Sequence, residues 1–180
     1  MFVDPVPDPW CAFLESHWRE FLAEMQALPA SQWIEWAPPV HNYAQGASIV
    51  PLVMKYVPPW LHTDFGAHRR QCPAIARVAT ELPGVYTVCL SRMAPGARVA
   101  AHRDHEEPGF LRIHLGLEVD PEARFRCERE WRSWEAGRCF AFLAQHEHEV
   151  VHAGTRPRVA LLVDVDAQSL QRHGRVRAAR

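Results

Sequence analysis

The sequence predicts a mainly β fold, a sandwich, barrel or jelly roll with helices ahead of it. Three observations carry that expectation. Short runs rich in β-branched and aromatic residues follow one another from residue 85 to 165: "VYTVCLSRM", "ARVAAH", "FLRIHLGLEV", "RFRCERE", "RCFAFL", "EHEVVHA" and "RVALLVDV". Turn signals separate them at Pro95-Gly96, Pro108-Gly109, Asp120-Pro121, Ala136-Gly137, Gly154 and Pro157. No helical pattern intervenes, so strand is joined to strand without βαβ crossovers.

The first element is a helix. "WCAFLESHWREFLAEMQAL" repeats apolar residues at helical spacing (Phe13, Leu14, Trp18, Phe21, Leu22, Met25), and Pro29 marks its stop. From residue 38 to 60, prolines at 38, 39, 51, 58 and 59 cut the chain into short extended pieces and loops. "CPAIARVATEL" predicts a second helix before Pro83-Gly84. One domain over residues 1–180 is expected, with a helical and loop part at 1–82, a β core at 83–166 and a tail at 167–180. Within the core, Leu111, Ile113, Leu115 and Leu117 alternate with Arg112, His114 and Gly116, the period of a strand with one apolar and one polar face.

Composition narrows the function classes. At 180 residues and 48% hydrophobic content the chain can bury one sizeable core. A formal net charge of -1 gives no electrostatic reason to expect nucleic acid or an anionic membrane as a partner. The Arg-rich end "RHGRVRAAR" reads as a solvated tail. Cys11, Cys72, Cys89, Cys127 and Cys139 are odd in number and lack CxxC spacing, which argues against a disulfide framework and a zinc knuckle and for reduced thiols. A basic start followed by an apolar run is missing, as is any window of 18 apolar residues, so neither a signal peptide nor a membrane span is expected, and a cytoplasmic protein is. Oligomeric state is not legible.

Chemistry concentrates in the histidines. His17, His41, His62, His68, His105 and His173 read as surface or hydrogen-bonded structural residues. His102 and Asp104 differ, because two residues apart on an extended chain they point the same way. With His148 they supply two imidazoles and a carboxylate, the facial set that holds Fe(II) and leaves three coordination positions for a bidentate cosubstrate and dioxygen. Arg158 starts the apolar run "VALLVDV", where a fixed cation is costly unless it meets an anion; a dicarboxylate such as 2-oxoglutarate would supply one. Two other readings stay open for Arg158, snorkelling to solvent and pairing with Asp164 or Asp166. A rival motif is "HEVVH", His148 to His152, which fits the H-E-x-x-H of zinc metalloproteases. That motif needs a helix, whereas Val150 and Val151 favour a strand, Gly154 and Pro157 cut the segment short, and no later Glu follows as third ligand.

The residues "SRMAPGARVAAHRD", "LRIHLGLEV", "WEAGRCFAF" and "HEHEVVHAGTRPRVALLVDV" together resemble the aspartyl/asparaginyl β-hydroxylase family of iron(II)- and 2-oxoglutarate-dependent oxygenases. The likeness reaches upstream to "CPAIARVATELPGV" and, more loosely, to "LESHWREFLAEMQALP". It implies a double-stranded β-helix, the cupin-like jelly roll, with flanking N-terminal helices. It implies iron on His102 and His148, the distal carboxylate of 2-oxoglutarate on Arg158, further cosubstrate contacts at Ser91 and His114, and Arg112 near the junction of cosubstrate and substrate. The implied activity is hydroxylation of an unactivated carbon in an amino acid, an amino-acid-derived small molecule or a peptide; the rival class is a jelly roll that binds metal and 2-oxoglutarate without turnover. Two features depart from the animal members of the family, which have Gly where this chain has Asp104 and an acidic "FDD" stretch where it has "FLAQ". Lipid A hydroxylases and some free amino acid hydroxylases are similar to this chain in having H-x-D.

Overall fold

A computed structural model describes residues 1–4, 6–36, 46–104, 110–173 and 175–176. The chain opens with β1 (Pro7–Asp8) and α1 (Trp10–Ala27). Asp8 accepts a hydrogen bond from the Ala12 backbone N–H at 3.0 Å, satisfying one of the orphan donors of the first turn, and Pro29 follows the last turn. After β2 (Ile34–Glu35) and β3 (Ala47–Met54) come α2 (Phe65–Gln71), capped by Asp64, and α3 (Pro73–Glu81). The start of α3 is closed from a distance. Glu24 of α1 accepts the N–H groups of Ala74 and Ile75 at 2.7 and 2.9 Å, which ties the two helices together.

The remaining elements are β4 (Val85–Met93), β5 (Arg98–His102), β6 (Phe110–Glu118), β7 (Ala123–Cys127), β8 (Glu130–Ser133), β9 (Cys139–Leu143), β10 (His148–His152), β11 (Arg158–Asp166), α4 (Ala167–His173) and β12 (Arg175–Val176). They form two antiparallel sheets, in the orders β2-β3-β4-β11-β6-β9 and β5-β10-β7-β8. The fold is a mainly β, double-stranded β-helix, as the family resemblance implies and within the range that the strand pattern predicts.

Alternation explains how the larger sheet is used on both sides. Leu111, Ile113, Leu115 and Leu117 of β6 share a core with Trp10, Leu14, Phe21, Ile75 and Val78 of the helices. The intervening Arg112 and His114 face the second sheet. That polar face is not wet: His114 is 5% exposed, and it stands among Phe125, Trp134, Phe140 and Phe142 of a second core between the sheets. Gly116, next on the same face, lies so close to the carbonyl oxygen of Glu135 that a Cβ would sit 2.4 Å from it.

Three features differ from expectation. β3 lies upstream of the expected core boundary at 83, yet it pairs with β4 from Ala47↔Met93 to Met54↔Thr87 and completes the large sheet. Pro51, which signals a break, is accommodated at an irregularity between Pro51 and Val53. The expected tail is structured at its start: α4 continues directly from β11, and β12 pairs with β1. The short apolar supply of α4, with Leu170 packed on the core, hid it in a basic segment. "RFRCERE" is two strands, β7 and β8, turned at Glu128 in a left-handed conformation (φ 55°). His41, Pro38-Pro39, His105, the Pro108-Gly109 turn and the last four residues of the tail fall outside the described residues. All five cysteines are free thiols. Among the described residues no helix is long and apolar enough to cross a membrane.

Candidate metal centre and anion cleft

The two sheets leave a cavity of about 330 Å³ between them, lined in part by Trp36, Met54, Pro58 and the exposed Tyr56. Such a volume suits a small-molecule ligand. His102, Asp104 and His148 stand on its wall, each offering one donor atom within 4.8 Å of the other two. Strand pairing makes this possible. His102 ends β5 and His148 begins β10, and the two are direct partners in the register, with ring centroids 4.2 Å apart. Asp104 follows β5 by two residues, its backbone N–H donating to Ala144 at 3.1 Å.

The imidazole orientation follows from hydrogen bonding. Nδ1 of His102 lies 2.8 Å from the carbonyl oxygen of Ala100, and Nδ1 of His148 lies 2.8 Å from that of His146. A carbonyl only accepts, so both Nδ1 atoms carry the proton and both Nε2 lone pairs turn inward. The Nε2 atoms are 3.9 Å (His102) and 3.8 Å (His148) from the Asp104 oxygens. Burial, then the neighbouring His102, pushes His148 down to about 4, which keeps it a neutral donor near pH 7. Two neutral imidazoles and one carboxylate, converging with Nδ1 held from behind, fit a divalent transition metal.

Arg158 lies deeper in the same cavity. It is 2% exposed, so it does not snorkel. Nor does it pair with Asp164, six residues along the same strand and therefore about 20 Å away at the rise of a β-strand. Its Nη1 donates to the Ser91 carbonyl oxygen at 3.1 Å and to Ser91 Oγ at 3.4 Å, its guanidinium lies 4.3 Å from the centre of the Trp134 ring, and among the described residues its Nε finds no acceptor. Burial pushes Arg158 down to about 9. Beside it both ring nitrogens of His114, and Nε1 of Trp134, are buried without hydrogen-bond partners among the described residues. Burial first, and then the charges of Arg158 and Arg112, hold His114 far below the ordinary histidine range, so it is neutral. A buried cation beside unmet donors, its own Nε, Trp134 Nε1 and the one N–H of neutral His114, fits an anionic ligand, since each orphan donor would otherwise carry its full desolvation cost.

Arg112 is differently placed. Its Nε and Nη2 donate to the two oxygens of Asp164 at 2.7 and 3.0 Å, and its Nη1 to Asp104 at 2.9 Å. The sequence-derived residues Ser91, His102, Asp104, Arg112, His114, His148 and Arg158 thus all line one cavity. Asp164 and Trp134 also stand at this site and are not among the residues to which the sequence assigns a role there. For Asp164 a signal existed, because it shares strand parity with Arg158 within an apolar run. Trp134 carries no such signal, since it enters the site from the segment after β8 only through the fold.

The "HEVVH" segment is β10, a strand, which removes the metalloprotease reading. On a strand His148 and His152 are about 13 Å apart, too far to share an ion. His152 uses Nε2 on the Arg156 carbonyl oxygen and accepts the Gly154 N–H at Nδ1, while Glu149 faces away to Arg126 and Arg98.

A family model described as aspartyl/asparaginyl β-hydroxylase matches residues 15–168. The chain belongs to the aspartyl/asparaginyl β-hydroxylase family. It is 26% identical over 168 residues to the ornithine lipid ester-linked acyl 2-hydroxylase of Rhizobium tropici, covering 89% of this chain and 58% of that protein. It is 38% identical over 76 residues to the aspartyl/asparaginyl β-hydroxylase of Mus musculus, covering 42% of this chain and 10% of that protein. The chain therefore spans only part of the length of the curated relatives it matches. Among solved structures it is similar in fold to an oxidoreductase of the 2OG-Fe(II) oxygenase family from Burkholderia pseudomallei, at 14% identity and a TM-score of 0.50, covering 79% of this chain and 74% of that one.

Proposed function

We propose that this member of the β-hydroxylase family is an iron(II)- and 2-oxoglutarate-dependent dioxygenase that hydroxylates an unactivated carbon. The observation that carries the reading is the pairing, in one cavity, of a His-Asp-His donor set with a buried cation whose Nε has no partner. The overall reaction takes 2-oxoglutarate, dioxygen and a C–H bond to succinate, carbon dioxide and a C–OH group. Iron(II) on His102, Asp104 and His148 would supply the redox chemistry with dioxygen; the protein supplies position and electrostatics.

Each residue then has a task of its own. The carbonyl oxygens of Ala100 and His146 hold the two imidazoles in the tautomer that presents Nε2. Arg158 receives the far carboxylate of the cosubstrate, with Ser91 holding the guanidinium from the other side. Neutral His114 donates one further hydrogen bond to that carboxylate. Phe125 and Phe142, whose ring centroids are 5.8 and 5.0 Å from that of His148, make the wall beside that imidazole apolar and would keep water from it. The substrate enters past Trp36, Met54 and Tyr56. Its class is a small molecule, an amino acid or a peptide- or carrier-linked group.

The test is succinate release by purified protein with Fe(II), ascorbate and 2-oxoglutarate, run beside a panel of amino acids, Asp- and Asn-containing peptides and lipid acyl compounds read for the mass gain of one oxygen. Substrate-stimulated succinate release, lost in His148→Ala together with metal binding, is the expected result. Tight metal and 2-oxoglutarate binding without succinate under every condition would instead make the chain a binding module.

A further inference from the structure

Asp164 has no part in the reaction as described above, yet it is a carboxylate 3% exposed on the wall of the cavity. Its register explains what it meets. β11 runs antiparallel to β6 with Asp164 directly opposite Arg112, so the two side chains project from adjacent strands onto the same face. Both Asp164 oxygens accept from the Arg112 guanidinium, through Nε and Nη2, in a fork-to-fork pair. Such a pair fixes the guanidinium plane, and with it the direction of the remaining nitrogen. That nitrogen, Nη1, donates to Oδ2 of Asp104, the oxygen that faces His148 Nε2.

Asp104 needs such a hold. It lies beyond the last residue of β5, outside the ladder that fixes His102 and His148, and among the described residues Arg112 is the one donor to its carboxylate. A free carboxylate there would sample several rotamers. Charge points the same way. One guanidinium between two carboxylates leaves a net charge of -1 at the donor set, whereas Arg112 with Asp104 alone would leave none and would compete with a divalent cation for the same oxygens.

We infer that Asp164 is a positioning residue for the metal centre: by clamping and neutralising Arg112 it orients Asp104 as the third ligand and keeps that carboxylate's charge available to the metal. The inference rests on the reading of Asp104 as a ligand. Loss of an outer partner of a metal ligand typically weakens metal binding about 10- to 100-fold.

The experiment is an anaerobic Co(II) titration, followed by the visible absorbance of the bound ion, with no cosubstrate or turnover involved. Asp164→Asn is expected to bind Co(II) about 10- to 100-fold more weakly than the parent. In an Asp104→Gly background the same substitution should change affinity by less than about threefold, because the ligand it acts through is gone. Arg112→Lys, which keeps a cation against Asp164 but cannot reach both carboxylates with a rigid fork, is expected to follow the same pattern and serves if Asp164→Asn does not fold. Equal losses in both backgrounds, or no loss in either, would overturn the inference. Undiminished Co(II) binding by Asp104→Gly alone would overturn the ligand reading beneath it, and is a separate result.

Discussion

Replacing Arg158 by Lys keeps a positive charge at the floor of the cavity while removing the planar fork. The structure sets the scale of the consequence. Burial alone brings Arg158 down to about 9, a desolvation cost on the order of 5 kcal/mol at about 1.36 kcal/mol per pKa unit. The Ser91 contacts and the Trp134 ring return only part of it, and Nε has no acceptor, so an incoming carboxylate recovers energy that the empty cleft does not. One charge-assisted hydrogen bond to that carboxylate is worth about 1.5–3 kcal/mol, so losing it weakens 2-oxoglutarate binding about 10- to 150-fold. A buried lysine is also more easily neutralised than arginine, which pushes the loss toward the upper figure. The assay is the apparent KM for 2-oxoglutarate by succinate release, checked by anaerobic calorimetry with Mn(II) in place of iron. An unchanged KM in Arg158→Lys would refute the reasoning and move the far carboxylate to another cation of the cavity.

Two further outcomes are expected. Asp104→Gly should weaken iron binding and lower turnover strongly, yet leave a remnant of activity that His102→Ala lacks, because members of the family resembling the animal enzymes carry Gly there; parallel Fe(II) titration and succinate release on both variants decide it, and an Asp104→Gly protein equal to wild type would remove Asp104 from the ligand set. Asp120 accepts the backbone N–H groups of Glu122, Arg156 and Thr155 at 2.9, 3.0 and 3.1 Å, and the first two chiefly hold its pKa below the ordinary 3.8, against the opposing effect of burial. A carboxylate with a depressed folded pKa contributes stability that is present above 3.8 and lost as pH falls through the folded value, so the urea midpoints of wild type and Asp120→Asn should differ most at neutral pH and converge in acid; a gap independent of pH would count against it.

What the sequence determined by itself was the alternation, the turns and which unusual side chains the cavity would have to account for. Period-2 runs between Pro/Gly signals were enough for a mainly β fold, and the helical spacing from Phe13 to Met25 was enough for α1, because both depend on residues close in the chain. His102, Asp104 and Arg158 are legible as outliers, a His-x-Asp on an extended segment and a cation opening an apolar run, whereas His148 carries no such local signal. Tertiary structure decided the rest. Whether the Arg112–His114 face of β6 met water or a second sheet depended on strands β7 and β10, far along the chain. Pro51 makes β3 read as short extended pieces and loops, and only pairing with β4 joins them into one strand of the large sheet. The same holds for Asp164, which parity could place on the same strand face as Arg158 but only the β6–β11 register could place opposite Arg112. Local pattern fixes which way a side chain points along its own strand; a one-residue slip in register would reverse every cross-strand partner, and register is set by the packing of the whole sandwich.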